Sequence, residues 1–87
     1  MASYRILIKR SAAKEIEAIA DLRDRRRVVT RITALAEEPR PRNAVKLAGR
    51  DLYRIRSGRY RVLYSIQDDV LVIHVIRVRP RKDAYRD

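Results

Sequence analysis

The sequence predicts an α+β fold in which two N-terminal helices pack on one face of a small, mainly antiparallel sheet. Three observations predict it. Residues 4–9 have the alternation of a strand, residues 12–20 and 28–36 carry apolar side chains at helical spacing, and residues 52–78 contain three short strand-like segments separated by turn signals. The expected element order is β-α-α-β-β-β. With 87 residues, the chain is expected to form a single domain, residues 1–87.

The two helices are delimited by capping residues and prolines. Ser11 is the predicted N-cap of the first helix, and Asp24 is a candidate N-cap of the second, because short polar side chains accept hydrogen bonds from free N–H groups. Pro39 and Pro41 end the second helix. The apolar faces comprise Ala12, Ile16, Ile19 and Ala20 in the first helix, and Val28, Ile32, Leu35 and Ala36 in the second.

A hairpin is predicted after the helices. Residues 40–51 form a polar connector, with a short extended piece at residues 45–47. Strands at residues 52–56 and 59–67 follow, joined by Ser57-Gly58 as a two-residue turn.

The last strand is predicted at residues 70–78, after a turn at Asp68-Asp69. It is apolar on both sides, which is typical of a central strand covered twice. Pro80 is expected to end it. His74, the only histidine, lies among apolar residues of this strand and is expected to be a core or edge residue rather than a catalytic base.

The charge balance predicts a polyanionic partner. Lys and Arg number 22 against 11 acidic residues, a formal charge of +11, which points to a nucleic acid, an anionic membrane or an acidic protein. Arginine is much commoner than lysine, which favours planar contacts with phosphates or carboxylates. There is no cysteine, so disulfide and thiolate chemistry are excluded. No signal peptide or membrane span is visible, and a cytoplasmic protein with no membrane partner is expected.

Three arginines are predicted to share one face of the hairpin. Arg54, Arg56 and Arg61 fall on one side by strand alternation, and the tyrosines and aliphatic residues between them fall on the other. Like charges opposite each other destabilise a sheet unless an anion lies between them. We therefore predict an anion-binding surface, which Arg77, Arg79, Arg81 and Lys82 would continue and to which Tyr85 would add a ring or a phenol hydroxyl.

The sequence contains no paired carboxylates, glycine-rich phosphate loop, metal-ligand cluster or Ser/His/Asp set. Any catalysis is expected to need no metal and no cofactor, and to depend on Arg, Lys and Tyr. The arginine run of the second helix is most simply its solvated face, although it could attract RNA at long range. That run comprises Arg23, Arg25, Arg26, Arg27 and Arg31.

The segment KLAGRDLYRIRSGRYRVLYSIQDDVLVIHVIRVRPRKDAYR resembles the signature half of the RelE/ParE superfamily of bacterial toxins. The shared features are a Lys-Leu-x-Gly approach, a Tyr-Arg-Ile-Arg strand, a Gly-x-Tyr-Arg-Val-Leu-Tyr strand, Val-Ile-x-Val, and a basic tail with a tyrosine. The resemblance covers about the last half of the chain closely and the first half through its β-α-α order. It implies a RelE-like toxin of a type II toxin–antitoxin pair, which would cleave messenger RNA in the ribosomal decoding site.

The resemblance also implies site residues. By motif, the catalytic set falls on Arg54, Arg56, Arg61, Arg81 and Tyr85. Further RNA contacts would come from Lys46, Arg59, Arg77, Arg79 and Lys82. Two departures concern proton transfer: arginines replace the lysines of some relatives, and Arg79-Pro80 replaces Gly-His. Arginine is a poor base because it does not deprotonate at working pH.

The implied partners are an acidic cognate antitoxin and a ribosome with mRNA in its decoding site, and a toxin–antitoxin heterotetramer is one possible assembly. The antitoxin is expected to cover the basic face and apolar sheet residues such as Leu63 and Val75. Two alternatives remain open at this point. One is a ParE-like inhibitor of DNA gyrase, and the other is a non-catalytic, basic RNA-binding module.

Overall fold

The computed structural model describes residues 3–80. The chain forms a five-stranded sheet in the order β1-β5-β4-β3-β2, with β1 parallel to β5 and the other three pairs antiparallel. The predicted fold is confirmed, with β2 as one additional short strand. The elements are β1 (Arg5–Ile8), α1 (Arg10–Glu17), α2 (Leu22–Ala34), β2 (Val45–Lys46), β3 (Tyr53–Ser57), β4 (Tyr60–Gln67) and β5 (Val72–Pro80).

Both predicted helix caps were wrong by a few residues. The N-cap of α1 is Lys9, which makes no side-chain capping bond, and Ser11 lies inside the first turn. The N-cap of α2 is Asp21, whose backbone is extended. Its carboxylate accepts the N–H groups of Arg23 at 2.8 Å and Asp24 at 3.3 Å. Asp24 is therefore part of the helix, and Asp21 satisfies two of its free donors.

The β3–β4 turn lies one residue later than predicted. Ser57 pairs with Tyr60, so the two turn residues are Gly58 and Arg59. Gly58 has φ +58°, and Arg59 is not among the residues with positive φ. This is the pattern of a type II′ turn, which requires glycine at its first central position. Because the first central position of the turn needs a positive φ, Gly58 occupies it, and Ser57 is therefore the last residue of β3.

Strand β5 begins and ends two residues later than predicted. The β4–β5 connection includes Leu71, which has a positive φ of 54°, and Pro80 is the last strand residue, opposite Tyr60. An irregularity between β4 and β5 shifts the pairing by one residue on β5, from Leu63 opposite Arg77 to Tyr64 opposite Val75. This shift places Val75 and Val78 on the same side of the sheet, although they are three residues apart in the strand.

The core lies between the helices and one face of the sheet. Tyr64, Ile55 and Val62 are fully buried on this face, as the alternation predicted for the apolar side of the hairpin. The opposite face is turned away from both helices. No helix in residues 3–80 is long and apolar enough to cross a membrane. The remaining core residues are Ala12, Ile16, Ile19, Val28, Ile32, Leu35, Ile66, Ile73, Val75 and Val78.

Candidate functional site

The sheet face turned away from the helices carries a row of three arginines across three strands. Arg56 of β3 lies directly opposite Arg61 of β4, and Arg61 lies directly opposite Arg79 of β5. Neighbouring strands are about 4.8 Å apart, so the row spans about 10 Å. In a second row beside it, Leu63 of β4 lies between Arg54 of β3 and Arg77 of β5. We call this surface the cationic face; its basic residues are Arg54, Arg56, Arg61, Arg77 and Arg79.

The cationic face contains no carboxylate from its own strands, because β3, β4 and β5 include no Asp or Glu. Its arginines differ in accessibility. Arg56 is exposed and Arg79 is half-buried, whereas Arg61 is only 1% exposed. The centre of the row is therefore covered in this conformation. A ligand can reach Arg56 directly, but it can reach Arg61 only after the covering groups move.

A helix residue holds the edge of this face. Strand β1 ends opposite Val75, so among the described residues the next part of β5 has no strand neighbour on that side. Glu15 of α1 takes its place: one carboxylate oxygen accepts the Val78 N–H at 2.9 Å, and the other lies 3.3 Å from Nε of Arg79. The sequence did not reveal Glu15 as part of the site, because the contact joins residues 64 positions apart.

Other predicted site residues lie apart from the row or outside residues 3–80. Lys46 is paired with Tyr53, so it lies on the helix side of the sheet rather than with Arg54. Arg59 is exposed in the hairpin turn, beside the end of the row. The positions named on the last seven residues lie outside the described part of the chain, and they are Arg81, Lys82 and Tyr85.

Two residues named as an antitoxin docking surface are covered. Leu63 is 8% exposed and Val75 is 0% exposed, the latter because it belongs to the core under the helices. The expectation that both would be open to a partner was wrong. Val75 is buried because the bulge in the β4–β5 pairing places it on the same side of the sheet as Val78.

A second charged cluster lies at the β4–β5 turn. Arg40 donates two hydrogen bonds to the Asp68 carboxylate, at 2.8 and 3.2 Å, and a third to the Tyr53 hydroxyl at 3.0 Å. Tyr4 donates to the same carboxylate at 2.6 Å. These bonds, led by those of Arg40, lower the pKa of Asp68 to about 2. The bond to Asp68 in turn raises the pKa of Tyr4.

Two further polar groups are held by structural contacts. Nε2 of His74 lies 2.9 Å from the side-chain oxygen of Gln67. The buried Tyr64 hydroxyl donates to the Pro39 carbonyl at 2.7 Å. Burial, followed by the nearby Tyr53, raises the pKa of Tyr64 to about 12. Within residues 3–80, no three His, Cys, Asp or Glu side chains are grouped to hold a metal ion.

Comparison with known proteins gives both a family and a set of related structures. Residues 6–85 match the family described as the ParE toxin of the type II toxin-antitoxin system parDE. No curated protein sequence matches the chain. Solved structures that it resembles include RelE toxins, several of them in complexes with RelB antitoxins.

Three of these structures illustrate the similarity. RelE in the archaeal RelE–RelB complex from Pyrococcus horikoshii is 34% identical, with a TM-score of 0.81 over 91% of this chain and 96% of that chain. The toxin–antitoxin complex RelBE2 from Mycobacterium tuberculosis gives 26% identity and a TM-score of 0.80, covering 93% and 94%. The intact Escherichia coli RelBE complex gives 31% identity and a TM-score of 0.73, covering 87% and 94%. The chain therefore belongs to the RelE/ParE superfamily of type II toxin–antitoxin toxins.

Proposed function

We propose that this toxin is a ribosome-dependent mRNA endonuclease that a cognate antitoxin neutralises. The observation that carries the proposal is the row Arg56–Arg61–Arg79, three adjacent arginines on a face whose strands contribute no carboxylate; Glu15 of α1 pairs with Arg79 at the end of the row. Such a row suits a group whose negative charge increases during the reaction. The similarity to RelE toxins over nearly the whole chain supports it.

The reaction is attack by the 2′-hydroxyl oxygen on the adjacent phosphorus, with cleavage of the bond from phosphorus to the 5′-oxygen. The hydroxyl gives its proton to a base, and the leaving 5′-oxygen gains one. The products are a 2′,3′-cyclic phosphate, which water can open to a 3′-phosphate, and a 5′-hydroxyl. Arg56 and Arg61 stabilise the charge on the phosphate oxygens, each well-placed donor contributing about 3–4 kcal/mol to the transition state. Arg54 adds a further phosphate contact.

Two residues outside the described part of the chain complete the proposed set. Arg81 stabilises the leaving 5′-oxygen, directly or through water, and Tyr85 orients the 2′-hydroxyl or stacks on a base. Arg59, Arg77, Arg79 and Lys82 bind the flanking RNA, whereas Lys46, on the helix side of the sheet, would contact it only where the strand passes around the sheet edge. Arginine is always protonated at working pH, so the cationic face offers no strong base. The ribosome therefore has to supply the in-line geometry, and free RNA is cut slowly.

The test offers purified toxin an end-labelled mRNA, alone and on ribosomes with a defined codon in the decoding site. We expect efficient cleavage on the ribosome and slow cleavage of the free mRNA. The downstream fragment should accept a kinase label without prior dephosphorylation, because its 5′ end is a hydroxyl. Equal cleavage of free and ribosome-bound mRNA would contradict the proposal, as would no cleavage of either.

The antitoxin partner is proposed to be a small acidic protein. RelE toxins appear in complexes with RelB antitoxins, and a chain with a formal charge of +11 favours an acidic ligand. Coexpression of the acidic neighbour should restore growth. If a neutral or basic neighbour restored it equally well, electrostatic masking would not be the mechanism.

A second candidate function is inhibition of DNA gyrase, because the matching family description is that of the ParE toxin. Gyrase inhibition needs a protein-binding surface rather than a phosphate site. Arg61→Ala and Arg81→Ala would then leave toxicity largely intact, and gyrase supercoiling would stop when the toxin is added. Unchanged supercoiling together with codon-phased mRNA ends would exclude this candidate.

A further inference from the structure

A second basic surface lies on the helix side of the molecule, away from the cationic face. A groove of about 490 Å³ runs between α2 and the β3–β4 turn. We call it the arginine groove, and its lining residues are Arg26, Arg27, Thr30, Arg31, Ala34, Ser57 and Gly58. The turn lies between the two surfaces, since β3 and β4 carry the cationic face and Ser57 and Gly58 line the groove.

The three groove arginines are not used to hold the fold. All three are exposed, and within residues 3–80 none of them makes an ion pair or a side-chain hydrogen bond. Arg25, on the same helix, contrasts with them: its guanidinium donates to the Ile19 carbonyl at 2.9 Å and packs at the α1–α2 junction. Arg25 is thus structural, whereas Arg26, Arg27 and Arg31 leave their donors free for a ligand.

The spacing of the arginines is unfavourable for the helix alone. Arg27 and Arg31 are four residues apart on α2, so they are neighbours on one face. Like charges at this spacing destabilise a helix. Arg26 and Thr30 have the same spacing on the adjoining row. An anion bound between Arg27 and Arg31 would reduce their repulsion, so the spacing favours a site that binds an anion.

The lining of the groove distinguishes between kinds of partner. A protein partner needs apolar or aromatic anchors at the centre of its interface, and none of the residues between 3 and 80 that line this groove has a large apolar side chain. A nucleic-acid backbone needs only cations and small polar groups. Arginine binds phosphate through two parallel N–H donors. At Gly58, an added side-chain carbon would meet nothing within 4 Å, so the groove is open at the turn.

We propose that the arginine groove binds the phosphodiester backbone of a second RNA strand, distinct from the strand on the cationic face. In the ribosome-bound toxin, that strand is ribosomal RNA. The choice of RNA rests on the proposed function. The groove is bounded at the C-terminal end of α2 by Glu37 and Glu38, which share the next cavity with Arg31. These carboxylates repel phosphate groups. The bound backbone therefore extends from Arg31 toward Arg27 and Arg26, and not toward Glu37 and Glu38.

The test measures binding to purified ribosomes that carry no mRNA, at KCl concentrations from about 50 to 300 mM. The groove variant is Arg26→Gln, Arg27→Gln, Arg31→Gln. The matched control, Arg5→Gln, Arg10→Gln, Lys14→Gln, removes the same charge from exposed positions of β1 and α1. Each phosphate contact contributes about 0.7–0.9 to the slope of log affinity against log salt, so the groove variant should lose about 2–3 from that slope. Its affinity should fall roughly ten- to a hundredfold, and the control should change by less than about threefold.

Several outcomes would overturn the inference. Equal losses in both variants would indicate general charge attraction, and no loss in the groove variant would leave the arginines without a role in RNA binding. Loss of binding to polyglutamate with unchanged ribosome binding would indicate an acidic protein partner instead. If the triple variant melts early, Arg27→Gln, Arg31→Gln should show about two-thirds of the slope change. Because no cleavage is measured, a toxin that binds through the groove but cuts no mRNA would contradict only the proposed function.

Discussion

Arg56 and Arg61 are adjacent on the cationic face, but substitutions at these two positions would have different consequences. Arg56 is exposed, whereas Arg61 is 1% exposed and among the largest fully buried side chains of the molecule. Replacing a buried arginine changes packing as well as charge. A loss of activity at Arg61 would therefore be ambiguous, and Arg56 provides the cleaner probe of phosphate binding.

We expect Arg56→Gln to reduce ribosome-dependent mRNA cleavage about 10²–10³-fold, since it removes one donor to the developing negative charge. Its melting temperature should change little, because exposed substitutions away from special features usually have small effects. Single-turnover cleavage on programmed ribosomes and a thermal melt would measure the two quantities. Arg5→Gln, at an exposed position on β1, is the matched control. Wild-type cleavage by the Arg56 variant would remove this residue from the proposed mechanism.

The Tyr64 hydroxyl gives a prediction about stability. Tyr64→Phe leaves the Pro39 carbonyl without its donor at 2.7 Å, and we expect a loss of about 1–3 kcal/mol in the free energy of unfolding. Because burial raises the folded pKa of Tyr64 to about 12 from 10.0, this tyrosine stabilises the fold below pH 10 and loses that contribution as the pH rises toward 12. Urea titrations at neutral and alkaline pH should show a smaller alkaline loss in the variant. Identical pH curves would contradict the assignment.

At the level of single elements, α2 depends on Asp21 for its start. Asp21→Ala should cost about 0.5–2 kcal/mol, because two N–H groups of the first turn lose their acceptor. Asp24→Ala is the control: it removes a carboxylate from the same turn without removing the cap. Its effect should be smaller and limited to the interaction with the helix dipole. Urea denaturation would compare the two, and an equal or larger loss in Asp24→Ala would show that charge, not capping, matters here.

Strand alternation was sufficient to place Arg54, Arg56 and Arg61 on one side of the hairpin, because side-chain direction in a strand has a period of two. Three features were beyond its reach. The β4–β5 irregularity changes the side on which β5 residues lie, and its position depends on pairing between strands. The two-residue strand β2 has too little pattern to show that Lys46 faces the helix side.

The third feature is accessibility. Glu15 meets Val78 and Arg79 only because α1 packs beside the unpaired edge of β5, a long-range contact that local periodicity does not contain. The near-complete burial of Arg61 is likewise a property of the assembled fold, since strand alternation assigns a side chain to one side of the sheet and not its exposure. The helices and strands could be predicted from local sequence patterns. The environment of each site residue depends on tertiary packing and could not be predicted in this way.

For the whole molecule, the Arg40–Asp68 pair connects segments that are distant in sequence. Arg40 lies in the connector after α2, and its guanidinium carbon is 5.4 Å from the centre of the Tyr53 ring, which stacks on Tyr64. Tyr4, just before β1, donates to the same carboxylate of Asp68 in the β4–β5 turn. One acidic side chain therefore holds the connector, the start of β1 and the β4–β5 turn together. In a chain with a formal charge of +11, such a contact also reduces repulsion.

This cluster predicts how stability depends on acid. The folded pKa of Asp68 is lowered to about 2 from 3.8, so its contribution is complete above pH 4 and is lost as the pH falls toward 2. Asp68→Asn lacks the charge at every pH. Its melting temperature should be lower than wild type at neutral pH, by roughly 1–4 °C because the pair is exposed, and the difference should shrink between about pH 4 and 2. High salt should also reduce the difference, since exposed charges are screened.

Asp69→Asn provides the control for this measurement, because it removes the same charge from the same turn at an exposed residue whose side chain makes no hydrogen bond or ion pair within residues 3–80. Its melting curve should follow the wild type across the whole range. If Asp68→Asn and Asp69→Asn gave the same curves, the effect would come from net charge, and the contacts from Arg40 and Tyr4 would not stabilise the fold. A difference confined to Asp68 would instead show that these contacts hold the connector and the turn together in solution.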